Sequence, residues 1–289
     1  MSNPLIEAKL KRYSISTLEE EENALKEILQ EIALYALSTT DFFSKARFQG
    51  GTALRILHHL PRFSEDLDFI LKQPDPDFKW EAYIHQMEQG FKVFSIEPEI
   101  IDRSKADNAV QKLFLKDNSI GKFLQLKFKY HAQRKLMIKF EIDTNPPQYS
   151  GEEIKFLDFP VDFSILAQDL PSNFSGKCHA LLCRTYVKGR DWFDFSWYVT
   201  NETQINFKFL SSALNQVGDW KDTDLVVDKR WLLEQLAEKI KLLDWSAVSQ
   251  DVARFVRPEQ QAALKLWGVE FFMSKIEKLQ RYLHETVDL

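Results

Sequence analysis

Apolar residues recur at helical spacing from Leu25 through Ile28, Leu29, Ile32, Tyr35 and Ala36. That pattern predicts a helix with one buried stripe. Ser16 and Glu19 read as an S-x-x-E capping box at its start, and the acidic run Glu19 to Glu22 suits a first turn, where the helix dipole favours negative charge. A short apolar piece over residues 42–48 leads to Gly50-Gly51-Thr52, and residues 53–60 read as a helix ended by Pro61. Leu67 to Leu71 reads as a strand bounded by Pro74 and Pro76, and residues 78–91 as a helix.

From residue 92 to 163 the pattern changes period. Segments 93–101, 111–116, 123–130, 136–143 and 154–159 are short, rich in β-formers and separated by turn signals. In 123–130 every second residue is polar, which fits an antiparallel sheet packed on one face. From about Ser164 the spacing is helical to the end, with helices expected near 174–188, 191–201, 206–217, 228–241, 246–256 and 259–286. The chain therefore reads as an α+β amino-terminal half, residues 1–163, followed by an all-helical half, residues 164–289.

Composition adds exclusions. The chain has 289 residues, 44% hydrophobic and 28% charged, with 9 Gly and 10 Pro, so it is neither disordered nor low in complexity, and helix should dominate. Its 23 Phe predict an aromatic-rich core. No apolar run approaches a membrane span, and the first residues carry no secretory h-region. Cys178 and Cys183 are five apart on an expected helix with no His/Cys cluster beside them, so neither a disulfide framework nor a zinc site is expected. A reduced cytoplasmic protein is the reading. The net charge of −5 argues against coating nucleic acid by bulk charge.

Candidate chemistry begins at Gly50-Gly51-Thr52. A Gly-Gly turn between a short strand and a helix lets main-chain N–H groups approach a phosphate, and Thr52 is placed to cap the helix or donate to that phosphate. Asp66 and Asp68 follow at i and i+2 on a strand, so both carboxylates face one side, roughly 6 to 7 Å apart. Such a pair calls for a cation or a paired Arg, and carboxylates suit Mg²⁺, while two solvated carboxylates on an edge strand give the same spacing. On the 136–143 strand, Lys139, Glu141 and Asp143 share one face while Ile138, Phe140 and Ile142 share the other. Glu141 or Asp143 would complete a three-carboxylate site for in-line attack on a nucleotide α-phosphate.

Gly50-Gly51-Thr52-Ala53-Leu54-Arg55, followed by Leu60-Pro61-Arg62-Phe63-Ser64-Glu65-Asp66-Leu67-Asp68-Phe69, resembles the signature of the AbiEii family, nucleotidyltransferase toxins of bacterial toxin–antitoxin systems within the polymerase β-like superfamily. The resemblance implies a mixed sheet with flanking helices, and a helical half that contributes to the active-site cleft. It implies Mg²⁺ or Mn²⁺ on Asp66, Asp68 and Glu141, with NTP as substrate. Nucleotide binding would fall to Gly50, Gly51, Thr52, Arg62, Ser64 and Lys188. Lys188 and Asp191 form a K-x-x-D step similar to the family's motif, so Lys188 would hold the triphosphate while Asp191 orients it or assists the acceptor. Read alone, that step is simply a helix ion pair at i, i+3. A cognate antitoxin is implied as partner.

Residues 111–140 hold Lys112, Lys116, Lys122, Lys127, Lys129, Arg134, Lys135 and Lys139 against the single acid Asp117. With interleaved Phe and Tyr, this basic stripe suits a polyanionic acceptor such as tRNA, although strand lysines also protect sheet edges. Two alternatives stay open: nucleotidyl transfer to a small molecule or a protein, and an inactive relative that only binds a nucleotide or partner.

Overall fold

The computed structural model describes residues 3–105, 108–119 and 135–284. Helix α1 (Pro4–Leu10) starts where the Asn3 side chain accepts the N–H groups of Leu5 and Ile6. Helix α2 (Leu18–Ser38) has its capping box one residue later than the sequence pattern suggests. Thr17 is the cap, and Glu20 reaches back to the N–H groups of both Thr17 and Ser16. Ser16 contributes its hydroxyl to the same carboxylate, so two candidate caps serve one helix start.

The next elements are α3 (Phe42–Lys45), β1 (Ala46–Gln49), α4 (Gly50–His58), β2 (Asp66–Leu71), α5 (Glu81–Lys92), β3 (Glu99–Asp102), β4 (Val110–Asp117), β5 (Leu136–Asp143), β6 (Glu152–Leu157) and β7 (Phe163–Gln168). Helix α5 begins three residues later than expected because Phe78 and Trp80 plug the core before it, and β3 is shorter than the 93–101 segment. The expected 123–130 strand, with Lys122, Lys127, Lys129 and Arg134, lies outside the described residues.

The strands form one seven-stranded sheet in the order β3-β4-β5-β2-β1-β7-β6. Strands β3, β4 and β5 are antiparallel, as the sequence suggests. The sheet as a whole is mixed, since β2 runs parallel to β5 and β1 parallel to β7. Strand β7 corrects the expectation that helix begins near Ser164. Phe163, Ile165 and Ala167 alternate into the core, but the segment is six residues long and runs straight into a helix capped by Asp169, which masks its period.

One sheet face is apolar. Leu67, Phe69, Leu113, Leu115, Ile138, Phe140 and Ile142 are all buried, with α2 packed on β5 and on α5. Rings fill this core: Phe42 lies 4.9 Å from Phe69 and 5.6 Å from Trp80 between centroids.

The remaining helices are α6 (Leu170–Cys183), α7 (Gly189–Thr200), α8 (Phe207–Gln216), α9 (Lys229–Leu242), α10 (Trp245–Ala253), α11 (Pro258–Gln261) and α12 (Val269–Tyr282), with a 3-10 turn at Ala262–Leu266. The single helix expected over 259–286 is thus three pieces, because Leu264 turns inward and Gly268 adopts extended backbone before α12. Trp192, Phe195 and Tyr198 of α7 are buried, with Trp245 stacked on Phe272 at 4.1 Å. Cys178 is buried and Cys183 half-buried, and both are free thiols.

The chain divides into two units. The first holds residues 1–59, 63–146 and 152–167, and the second holds 60–62, 147–151 and 168–289. No helix among the described residues is long and apolar enough to cross a membrane.

Candidate active site

The face of the sheet opposite the core carries the acids. Strand alternation turns Leu67 inward and leaves Asp66 and Asp68 half-buried on the outer face of β2. Pairing with β5 sets Asp68 beside Glu141, Asp66 beside Lys139 and Ile70 beside Asp143. Asp68, Glu141 and, from β4, Lys112 therefore lie abreast on adjacent strands. Asp143, the alternative third acid, is one alternation further along β5, and its carboxylate accepts the N–H of Asn145 at 2.9 Å. Burial raises the pKa of Asp143 above the usual carboxylate range, in part offset by that bond.

The glycine turn is built against the same acid. Gly50 has φ +77°, and a Cβ there would stand 2.6 Å from Asp68 Oδ2, so only glycine fits both the backbone and the carboxylate. Strand β1 pairs with β2 antiparallel and sets Gln49 opposite Asp68, which delivers the turn to this point. Thr52 is fully buried, and its hydroxyl donates to the main-chain carbonyl of Asp66. Of the two roles expected for Thr52, the structure has neither a side-chain cap on α4 nor an exposed hydroxyl. It ties the first turn of α4 to the strand that carries the aspartates. Ser64 offers its carbonyl to the Gln30 amide at 3.1 Å.

Glu141 is bracketed by ammonium groups. Its Oε1 lies 2.7 Å from Lys139 Nζ and 3.1 Å from Lys112 Nζ. Burial works to raise the Glu141 pKa, but the two lysines more than offset it and hold the carboxyl below its usual range. Burial likewise works to lower the Lys139 pKa, and Glu141, then Asp66 and Asp68, more than offset that and raise it. One lysine thus sits in the field of all three acids. Among the described residues, no group of three or more His, Cys, Asp or Glu side chains is gathered closely enough to hold a metal ion. In kind, the donors still fit a hard divalent cation: three carboxylates share one face, with no sulfur or imidazole among them.

The second unit has its own charged centre. Asp191 and Asp194 stand at i and i+3 on α7, so both face Lys177 of α6, whose Nζ lies 2.7 Å from Asp191 and 2.9 Å from Asp194. The Arg62 guanidinium grips Asp194 with two bonds, 2.7 Å from Nε and 2.6 Å from Nη2, and these side chains are only 2% and 0% exposed. Arg184 completes the row through Asp191. Burial alone would raise the Asp191 pKa, yet Lys177, Arg184 and Lys188 bring it down to about 2. The K-x-x-D step is therefore not a simple ion pair, because Asp191 is committed to Lys177 and Arg184.

Lys188 precedes α7, and Gly189 can begin that helix only as glycine, since a Cβ would stand 2.1 Å from the Val248 carbonyl of α10. The Gly189 N–H donates to Asp251 at 2.7 Å. Lys188 is half-buried on a cleft of about 200 Å³ shared with Arg184, Tyr186, Asp191, Lys239 and Leu242. Burial lowers its pKa below the usual lysine range, against the pull of Asp191.

The structure thus groups Asp66, Asp68, Glu141, Gly50 and Thr52 in the first unit, and Arg62, Lys188 and Asp191 in the second. Sequence reasoning missed Lys177 and Asp194 as the partners of Asp191 and Arg62. The i, i+3 spacing of Asp191 and Asp194 was the available signal. Sequence reasoning also placed Lys112 and Lys139 in a basic stripe for a polyanionic acceptor, whereas both lysines pair with Glu141.

Asp66, Asp68 and Glu141 on one face of a mixed sheet, with a glycine turn pressed against Asp68, are an arrangement compatible with a nucleotidyltransferase. The particular family follows from sequence: the pattern of the AbiEii family, described as nucleotidyl transferase AbiEii toxin of a type IV toxin–antitoxin system, matches residues 32–274, and the chain belongs to that family. Two solved structures share the fold. MenT4, a nucleotidyltransferase toxin from Mycobacterium tuberculosis, is 15% identical with a TM-score of 0.52, covering 96% of this chain and 99% of its own. A putative nucleotidyltransferase from H. pylori is 18% identical with a TM-score of 0.50, covering 91% and 99%. No curated protein matches the chain in sequence.

Proposed function

We propose that this nucleotidyltransferase toxin moves a nucleotide from an NTP to a hydroxyl of tRNA, using a divalent cation held by Asp66, Asp68 and Glu141. The observation that carries the reading is the register that sets Asp68 beside Glu141 while Gly50 packs on the same aspartate. The acceptor oxygen forms a bond to the α-phosphorus as the bond to the β-phosphate oxygen breaks. Pyrophosphate leaves and the hydroxyl proton goes to solvent. When bound, Mg²⁺ or Mn²⁺ would supply charge neutralisation and phosphate orientation. Main-chain N–H groups at Gly50 and Gly51 receive phosphate oxygens at the start of α4, with Thr52 fixing that turn through Asp66.

In the helical unit, Lys188 is the candidate phosphate-binding cation. It is half-buried in a cleft, and its own carboxylate neighbour is occupied by Lys177 and Arg184. Arg62 serves by holding Asp194 rather than by touching nucleotide. The protein acts in the cytoplasm and is restrained by a cognate antitoxin, as its membership of a toxin–antitoxin family suggests.

A small-molecule acceptor is the second reading. What favours it is that three of the four described stripe lysines are occupied, Lys112 and Lys139 by Glu141 and Lys135 by Glu99. Purified chain incubated with each labelled NTP, Mg²⁺ and either total tRNA or small hydroxyl acceptors separates the two. Label on tRNA, abolished by Asp68→Ala in a chain that still folds, is the expected result. Unchanged labelling in Asp68→Ala would refute the site.

A further inference from the structure

Lys139 has no part in the proposed reaction, yet it pairs with Glu141 and lies in the field of Asp66 and Asp68. It is directly opposite Asp66 in the β2–β5 register, two residues from Glu141 on the same face, and 2.7 Å from Glu141 Oε1. The strand pleat fixes this arrangement. Residues i and i+2 on β5 must point the same way, and the parallel partner places its own i and i+2 aspartates alongside. Lys139 is only about a quarter exposed, so the contact is less screened than a surface ion pair. Lys112 approaches the same oxygen from β4 but is more exposed.

We infer that Lys139 is the built-in counter-ion of the carboxylate triad, and that a divalent cation binds the triad by displacing the Lys139 ammonium from Glu141. The inference rests on the reading of Asp66, Asp68 and Glu141 as the cation's ligands, and it adds that their affinity is set by a competing side chain. Charge makes the competition unavoidable. Three carboxylates on adjacent strands repel, and the Lys139 ammonium, with Lys112 on the far side of Glu141, lowers that repulsion in the free protein. A cation that takes Glu141 must break a charge-assisted bond to do so. Lys139 is accordingly a positioning residue, not a catalytic one. It lowers the repulsion among the acids while reducing their hold on the ion.

The test is Mn²⁺ binding to the full chain without nucleotide, followed by the electron paramagnetic resonance of free Mn²⁺ and by calorimetry. Replacing the amine in Lys139→Met should tighten Mn²⁺ binding about tenfold, and Lys139→Arg should stay near the wild type. Lys135→Met, which removes an equal charge that pairs with Glu99 instead, should leave the affinity unchanged. The tightening in Lys139→Met should persist at high salt, where a long-range field is screened. Equal or weaker binding by Lys139→Met, or tightening matched by Lys135→Met, would overturn the inference while leaving the ligand assignment standing. Binding that survives Asp68→Asn unchanged, or is absent from both the wild type and a folded Lys139→Met, would overturn the ligand assignment and the inference with it.

Discussion

Gly50 and Asp68 illustrate how little room single residues leave at this site. The positive φ of Gly50 costs an L-residue about 1 to 2 kcal/mol, and a methyl group there would collide with Asp68 Oδ2. Gly50→Ala should therefore lower the unfolding free energy read from urea denaturation by about that amount, and reduce nucleotidyl transfer more than its stability loss explains, because the aspartate must move. Transfer retained at the wild-type rate would show that Asp68 tolerates displacement and does not bind the reacting group. The pair Gly50 and Thr52 was legible as a turn, but the partner of Thr52 was not. Nothing in the chain's local pattern shows that a hydroxyl fourteen residues upstream will meet the Asp66 carbonyl. Glu141 against Asp143 was similarly open, since both lie on one face of β5, and only the pairing with β2 sets Glu141 beside Asp68.

Among the elements, β5 and α7 carry most of the chemistry and were read with different success. The bounds of β5 coincide with the segment expected from alternation, because eight residues of strict apolar-polar period leave one solution. Helix α7 was placed within two residues; the spacing offered Lys188 as an ion-pair partner for Asp191, as the alternative to a role in orienting the triphosphate, whereas α6 supplies the partner Lys177. That pairing has a pH signature. The Asp191 pKa is about 2 in the fold, against about 3.9 for an unfolded aspartate. The unfolded chain thus takes up the proton first as pH falls, so the contribution of Asp191 to stability is complete above about pH 4 and is lost toward pH 2. Urea midpoints measured from pH 5 to pH 2.5 should fall more steeply for the wild type than for Asp191→Asn, and parallel curves would contradict the pairing.

Across the whole molecule, the row Arg62, Asp194, Lys177, Asp191 and Arg184 is the largest buried ionic group described in the second unit. Removing one partner from such a group leaves a buried charge exposed to an apolar interior, which costs about 3 to 5 kcal/mol. Trp80 lies in the first unit and the other six tryptophans in the second, so fluorescence reports mainly on the helical unit. Arg62→Met should lower the fluorescence-detected unfolding midpoint markedly, and Arg62→Met with Asp194→Leu should recover part of the loss. An unchanged midpoint would mean that Arg62 is free to serve the nucleotide directly. The charge pattern at this scale was legible only in part. Eight basic residues against one acid in residues 111–140 stand out in the sequence, but Lys112 and Lys139 turn out to be tied to Glu141.

The sequence by itself determined the class of fold, the long elements and which acids share a strand face, because period, capping and the Gly-Gly-Thr and Glu-Asp-Leu-Asp segments are local properties of consecutive residues. It missed β7, whose six-residue period is overrun by the helix that follows. Strand order, the parallel pairing of β2 with β5, and the ion pairs between different elements at the two charged centres were decided by the tertiary structure alone. The reason is physical. A carboxylate takes whichever cation burial brings within about 3 Å, and burial brings together residues as far apart as Arg62 and Asp194, a separation that no local pattern encodes.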